Sequence, residues 1–324
     1  MSKKNLNKVL IIQIGRVGDM ILTTPLIHLM KEQYPDWNIS ILSSLSNYPI
    51  VKYSKDINKI LIFRKNIFRL FFLVLKFRIE NYDIWIDGKL EYSRTSALLL
   101  KFANPKKSYG YNTGKRLFDN DLIQYKQGNH YIDLNLSALR CLNGFNYNLT
   151  NIRPIIDLPT DYPVKNINVP ENKFIVILNI SAGQESRIWQ KEKWVYLMNA
   201  INQESDCYFI IHSMFREKEI TDYIESNYQK NNFKCYNDRT IDLIGYISII
   251  KSSNLIITPD TAAIHCASAF NIPVIGLYPD VKWNYERFTP LSTKSIVVFS
   301  KNADNVFDIE PEEVYKKYQE IIKL

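Results

Sequence analysis

No uninterrupted apolar stretch reaches about 18 residues anywhere in the 324-residue chain, so nothing in it reads as a membrane-spanning helix. Its first residues, MSKKNLNK, lead straight into a strand-like run with no apolar signal-peptide region, and the expected location is the cytoplasm. Cysteine and histidine are scarce, four of each. Cys141, Cys207, Cys235 and Cys266 are scattered without metal-ligand spacing, which fits reduced thiols, and no histidine sits in a zinc-like cluster. No tightly bound metal is therefore expected, and no other cofactor is assigned. The glycines of a G-x-G-x-x-G fingerprint are missing, which sets aside a nicotinamide oxidoreductase. Helix-turn-helix, zinc-finger and RNP-like patterns are missing too, and with them the usual routes to nucleic acid. There is no internal repeat or low-complexity tract.

What the chain does have is enough apolar sequence, 46%, for two packed domains, and an uneven charge. Residues 1–160 carry 23 Lys+Arg against 12 Asp+Glu, whereas residues 161–324 carry 18 against 21. The basic half should attract an anionic partner. An anionic lipid surface is the preferred partner, and a solvated basic face is the bland alternative.

Near the start, KVLIIQI (8–14) has the continuous apolar character of a buried parallel strand. It feeds Gly15-Arg16-Val17-Gly18-Asp19, whose glycines permit sharp turning and close approach by a ligand. Thr24-Pro25 then predicts a helix over 25–33. Asp19 precedes that helix at the carboxyl end of a strand, where a carboxylate can face a cleft. It can equally do no more than cap a helical turn. The next strand, 38–42, runs into Ser43-Ser44 rather than the acidic residue of a dinucleotide site.

Residues 50–110 hold 13 Lys+Arg against 5 acids. Within them NIFRLFFLVLKFRIE (66–80) is too short to cross a bilayer and too apolar for a freely exposed helix. It reads as a helix buried against the sheet, with Arg64, Lys65, Arg69 and Lys76 reaching solvent. An interfacial membrane helix is the alternative, since aromatic and basic residues interleave. A strand follows at 82–87, then a loop over 88–94 and a small-residue helix at 96–103.

The Pro-, Asp- and Asn-rich stretch 151–170 separates two sets of strand-helix alternation, so the domain boundary is expected near residue 160. The second set opens with FIVILN (174–179) and the loop Ile180-Ser181-Ala182-Gly183-Gln184-Glu185-Ser186-Arg187. Small residues there expose amides, and one guanidinium can neutralise a phosphate. A strand (208–212), a helix (215–228) and a helix led by Asp242 come next. Residues 254–280, NLIITPDTAAIHCASAFNIPVIGLYPD, form a strand-helix-strand unit whose helix starts at Asp260-Thr261 and ends at Asn271. The first turn of that helix should offer free N–H groups at a strand's carboxyl end, with Ala262 and Ala263 leaving room for a diphosphate and His265 one turn on. An ordinary cap with a packed histidine is the plain alternative. The last segment, 311–324, is an amphipathic helix with acids first and lysines later.

Three stretches resemble one family in order and spacing, the heptosyltransferases of glycosyltransferase family 9. Asp260-Thr261 with His265 and IPVIGLY resembles its nucleotide-sugar signature, with Ala262-Ala263 where Gly-Pro is usual. Arg187-Ile188-Trp189 resembles its Lys-x-Trp element, and Gly18-Asp19 its catalytic Gly-Asp. His130 to Leu142 resembles a further family helix, with Asp133 as its acid and Leu134 in place of the usual arginine. The resemblance implies two Rossmann-like α/β domains facing across a cleft, the GT-B arrangement. An acceptor domain, 1–160, would receive the terminal helix 311–324, and 161–310 would bind the nucleotide sugar.

It further implies an inverting, metal-independent transfer of heptose from ADP-heptose to the lipopolysaccharide inner core, with Asp19 as base. Ser181, Ala182, Gly183, Arg187, Asp260, Thr261, Ala262 and His265 would hold the donor diphosphate and sugar. By position Ile241 could flank the base, though an isoleucine there also reads as core. Arg16, Arg64, Lys65, Lys89 and Arg94 are the candidates for the anionic lipid-linked acceptor, at the inner face of the cytoplasmic membrane. Two alternatives stand: another nucleotide sugar in capsule, O-chain or glycoprotein assembly, and a non-catalytic sugar-nucleotide or lipid-surface binding protein.

Overall fold

Two six-stranded parallel sheets organise the computed structural model, which describes residues 7–145, 147, 151–160, 170 and 172–323. The chain divides into two compact units, Met1–Asp157 and Leu158–Leu324. Residues 161–169 of the stretch expected to link the domains, and Leu324, lie outside the described residues.

In the first unit the strands are β1 (Lys8–Gln13), β2 (Asn38–Ser44), β3 (Lys59–Phe63), β4 (Ile84–Asp87), β5 (Lys107–Gly110) and β6 (Asn120–Asp121). The helices are α1 (Val17–Ile21), α2 (Thr24–Gln33), α3 (Tyr48–Val51), α4 (Ile67–Glu80), α5 (Arg94–Ala103) and α6 (Tyr131–Asn143). Their sheet runs β3-β2-β1-β4-β5-β6, so the strand order reverses between β1 and β4. Val9 to Ile12 are fully apolar and buried because a parallel sheet is covered on both faces. Phe77 meets Tyr82 and Trp85 edge to face in the core. The short strands β5 and β6 carry no apolar run. Side-chain bonds hold them instead: the Ser108 backbone N–H (2.9 Å) and hydroxyl (2.7 Å) both donate to Asp119 Oδ2.

The second unit contains β7 (Phe174–Asn179), β8 (Cys207–Ser213), β9 (Phe233–Asn237), β10 (Leu255–Pro259), β11 (Val274–Tyr278) and β12 (Ser295–Phe299). Around them lie α7 (Lys191–Glu204), α8 (Lys218–Asn227), α9 (Leu243–Lys251), α10 (Ala262–Phe270), α11 (Lys282–Phe288) and α12 (Pro311–Ile321). The order β12-β11-β10-β7-β8-β9 repeats the plan of the first sheet and reverses between β7 and β10. Trp189 and Trp194 pack edge to face, 4.8 Å between centroids, at the centre of its core.

Two expectations need correction. The terminal helix α12 was expected to return to the first domain, yet its stripe of Val314, Tyr318 and Ile321 is buried in the second core, and the Tyr318 hydroxyl bonds Ser205 (3.0 Å). It follows β12 closely in sequence, and its apolar stripe completes the cover of its own sheet. Helix α4 was expected to be buried, but among its described side chains only Leu73 and Phe77 are, with Leu70 and Val74 packed beside them. Phe68, Phe71, Phe72, Leu75 and Ile79 face outward.

Candidate active site

Asp19 sits in α1, a single turn that starts where β1 ends, at the point where the first sheet's order reverses. Its Oδ2 accepts the Arg16 backbone N–H at 2.9 Å, so the capping role is real. Oδ1 accepts no hydrogen bond among the described residues and keeps its lone pairs for another donor. Burial pushes the carboxyl above the ordinary aspartate value, and the Arg16 N–H and the Arg16 and Lys89 charges pull it back.

Two residues that sequence reading missed fix this loop. The buried Asn47 amide donates to the carbonyls of Gln13 (2.9 Å) and Gly15 (3.0 Å). Gln13 bonds Thr23 Oγ1 (2.9 Å), and that hydroxyl bonds the Asp19 carbonyl (2.7 Å). A Cβ on Gly15 would lie 2.5 Å from Asp19 Oδ2, so glycine is the residue that lets the carboxylate occupy its place. A polar residue in a loop carries no signal of such a task, so spacing could not have found Asn47.

The cationic candidates stand beyond the carboxyl ends of three strands of this sheet. Arg16 follows β1, Lys89 and Arg94 follow β4, and Arg64 and Lys65 follow the edge strand β3; all five are exposed. Asp87, buried at the end of β4, accepts the Lys89 backbone N–H (3.0 Å), and burial raises its carboxyl against the Lys89 charge. One ammonium thus acts on both carboxyls. Position 134, where an arginine is usual, is core: Leu134 is buried, and its carbonyl accepts the Tyr111 hydroxyl (2.9 Å). Asp133 is buried against Arg140 at 2.7 Å and serves the packing of α6.

In the second unit the loop after β7 and the start of α10 lie side by side, because β7 pairs with β10. Asn179 joins them, its amide reaching the Ser181 carbonyl (3.2 Å), Thr258 Oγ1 (2.9 Å) and Thr261 Oγ1 (3.1 Å). Thr261 caps α10 by accepting the Ala263 N–H (3.3 Å), and the Ala262 N–H makes no hydrogen bond among the described residues. Gly183 is exposed at the loop tip with open space where a Cβ would stand. Ser181 is buried: its hydroxyl donates to Glu217 (2.7 Å) and accepts the Met214 N–H (2.6 Å). Ala182 is held by Arg216 through its carbonyl. What Ser181 and Ala182 can offer a ligand is backbone.

Arg187 and Asp260 come together. Nη1 lies 2.8 Å from Asp260 Oδ2 and donates to the Asp260 carbonyl at 3.2 Å, and the Asn284 amide bonds the same Oδ2 at 2.7 Å. Burial raises the Asp260 carboxyl, opposed by the Arg187 charge and the Asn284 bond. His265 is buried, its ring 6.1 Å from that of Phe288, and is packed rather than presented to solvent. Ile241 is half-buried between β9 and α9. Among the described residues no group of three or more His, Cys, Asp or Glu is placed to hold a metal ion.

Comparison with known proteins brings further findings. A family model described as glycosyltransferase family 9 (heptosyltransferase) matches residues 72–319. Lipopolysaccharide heptosyltransferase 3 of Escherichia coli is 23% identical over 288 residues, covering 81% of this chain and 80% of that protein. Among solved structures, a glycosyl transferase family 9 protein from Veillonella parvula superposes with a TM-score of 0.83 at 14% identity, over 98% of this chain and 97% of that one. The E. coli ADP-heptose lps heptosyltransferase II gives 0.80 at 19% identity, over 98% of each chain. These likenesses show the fold, two Rossmann-like sheets in one chain.

Proposed function

The chain belongs to glycosyltransferase family 9, and from that premise we propose that it moves a heptose from ADP-heptose to an anionic lipopolysaccharide inner-core acceptor, inverting the anomeric carbon without a metal ion. One observation carries the reading: in each sheet the candidate residues stand at the carboxyl ends of the two strands between which the order reverses, where open α/β sheets bind ligands. In the first unit these are Asp19 and Lys89; in the second, the loop at residues 180–187 and the Asp260-Thr261-Ala262 turn.

In the proposed reaction Asp19 Oδ1 takes the proton of an acceptor hydroxyl as its oxygen attacks the anomeric carbon opposite the diphosphate. The new carbon–oxygen bond forms as the bond to phosphate breaks, and ADP leaves with the electron pair. The Ala262 N–H, the amides around Gly183 and the Arg187 guanidinium meet that growing charge. Asp260 holds the guanidinium and takes a sugar hydroxyl in its own right. Leu134 supplies no charge to the acceptor, so recognition of its anionic groups falls to Arg16, Arg64, Lys65, Lys89 and Arg94. The enzyme acts in the cytoplasm, peripherally at the membrane that carries a lipid-linked acceptor. No helix among the described residues is long and apolar enough to cross that membrane.

Thermal shift with ADP-, UDP- and GDP-linked sugars, followed by product analysis with an inner-core acceptor, tests the reading. Stabilisation by ADP-heptose and a heptosylated product are expected. A selective response to a UDP- or GDP-sugar would overturn the donor assignment.

A further inference from the structure

Helix α4 carries two apolar stripes. At about 100° per residue, Leu70, Leu73, Val74 and Phe77 point one way, into the core of the first unit. Phe68, Phe72, Leu75 and Ile79 point the opposite way, within a stripe roughly 60° wide, and Phe71 lies at its edge. These five side chains are 74%, 67%, 42%, 81% and 61% exposed, in that order. A second apolar stripe on a helix that already has its core face means that something else covers it.

Charge says what. Arg69 and Lys76 flank the outer stripe on one side and Arg78 on the other, and Arg64 and Lys65 stand just before the helix, all exposed. Among the described residues Arg64, Lys65, Arg69 and Lys76 make no ion pair, and the helix's single acid, Glu80, is taken by Lys8 and Lys59. The neighbouring α5 extends the patch with Leu98, Phe102 and Lys101, and Arg78 Nε bonds the Phe102 carbonyl at 2.8 Å to hold the two helices together.

We propose that the outer face of α4, with Leu98 and Phe102 of α5, is the surface by which the protein docks on an anionic phospholipid bilayer, a placement that rests on the acceptor being lipid-linked. Aromatic rings enter the boundary between headgroups and acyl chains, while the flanking arginines and lysines stay at the phosphates. A second copy of this chain would bury the same rings, but it would bring the same positive charges against each other.

The test is flotation of the full chain with vesicles of phosphatidylcholine containing about a third phosphatidylglycerol, against phosphatidylcholine alone. The wild type should bind the anionic vesicles, and added salt should weaken that binding by screening. Phe68→Ser/Phe72→Ser/Ile79→Ser should weaken it by about a hundredfold, from the apolar area lost. Arg69→Gln/Lys76→Gln should weaken it about tenfold on anionic vesicles only. Both variants change exposed residues and should keep the wild-type melting temperature. No binding by the wild type, binding by the triple variant within a few-fold of wild type, or a wild-type dimer that the triple variant abolishes would each overturn the proposal. Heptose transfer to a water-soluble acceptor fragment separates the two claims: its absence in a wild type whose vesicle binding follows this pattern sinks the functional reading and leaves the docking face standing.

Discussion

Arg187 and Asp260, 73 residues apart, are clasped at the mouth of the second sheet, guanidinium to carboxylate at 2.8 Å and guanidinium to carbonyl at 3.2 Å. The pair brings together a loop after β7 and a turn after β10, and it fixes the one cation of that loop, the group proposed above to meet the diphosphate. Asp260 is buried and Arg187 is 23% exposed in its side chain, so removing the arginine strands a carboxylate in a poorly solvated place.

Arg187→Ala is accordingly expected to lower stability by about 1–3 kcal/mol, discounted from a fully buried pair for the partial exposure, and to weaken ADP binding by tenfold or more. Arg187→Lys keeps the charge without the fork and should fall between. Thermal denaturation and calorimetric titration with ADP check both; unchanged ADP affinity in Arg187→Ala would remove the arginine from the donor site.

Gly15→Ala brings a methyl group to within 2.5 Å of Asp19 Oδ2 and 2.9 Å of Gln13 Oε1, and the carboxylate has to give way. A displacement of this kind costs about tenfold to a hundredfold in kcat, with ADP affinity held, since the residues proposed to hold the donor lie in the other unit. Steady-state kinetics and ADP titration read the two separately. Wild-type kcat in this variant would mean that the position of Asp19 does not matter.

The acid limb of the pH–rate profile should lie above the ordinary aspartate value of 3.8, because Asp19, as the proposed base, works only when ionised and burial raises its carboxyl. Lys89→Ala removes a charge that favours the ionised form, so the limb should move to still higher pH. A limb that stays put in Lys89→Ala would contradict the assignment of base and neighbour. The same raised carboxyl has a stability consequence. Its contribution is fully present below the unfolded value and is lost as pH rises through the folded one, so Asp19→Asn should melt no lower than the wild type at neutral pH.

Transfer should proceed unchanged in excess EDTA, as Arg187 and backbone amides are proposed to carry the leaving-group charge. Loss of activity restored by a divalent cation would require a metal in the step.

Much of the architecture was legible in the sequence because parallel strands buried on both faces leave unbroken apolar runs, as at residues 9–12, 175–178 and 255–257. The caps at Asp242 and Thr261 were legible for the same local reason. The strands β5 and β6 were not, since their pairing rests on Ser108 and Asp119 rather than on composition. In α4 one apolar run hid two stripes, and only the packing tells which of them the core takes. Asp19, Arg187 and Thr261 could be singled out from their loops, but Asn47, Asn179 and Asn284, which hold those loops in place, are polar residues whose partners are distant in the chain. His265 sat at helical spacing from Thr261, and burial beside Phe288 took it out of reach of solvent.

The central claim, that Asp19 is the base of a sugar transfer, is tested most directly by measuring kcat for heptose transfer and Kd for ADP in Asp19→Asn. The account predicts a fall in kcat of about a hundredfold to ten-thousandfold with Kd within a few-fold of the wild type. Transfer at the wild-type rate, or an equal loss of transfer and of ADP binding, would contradict it.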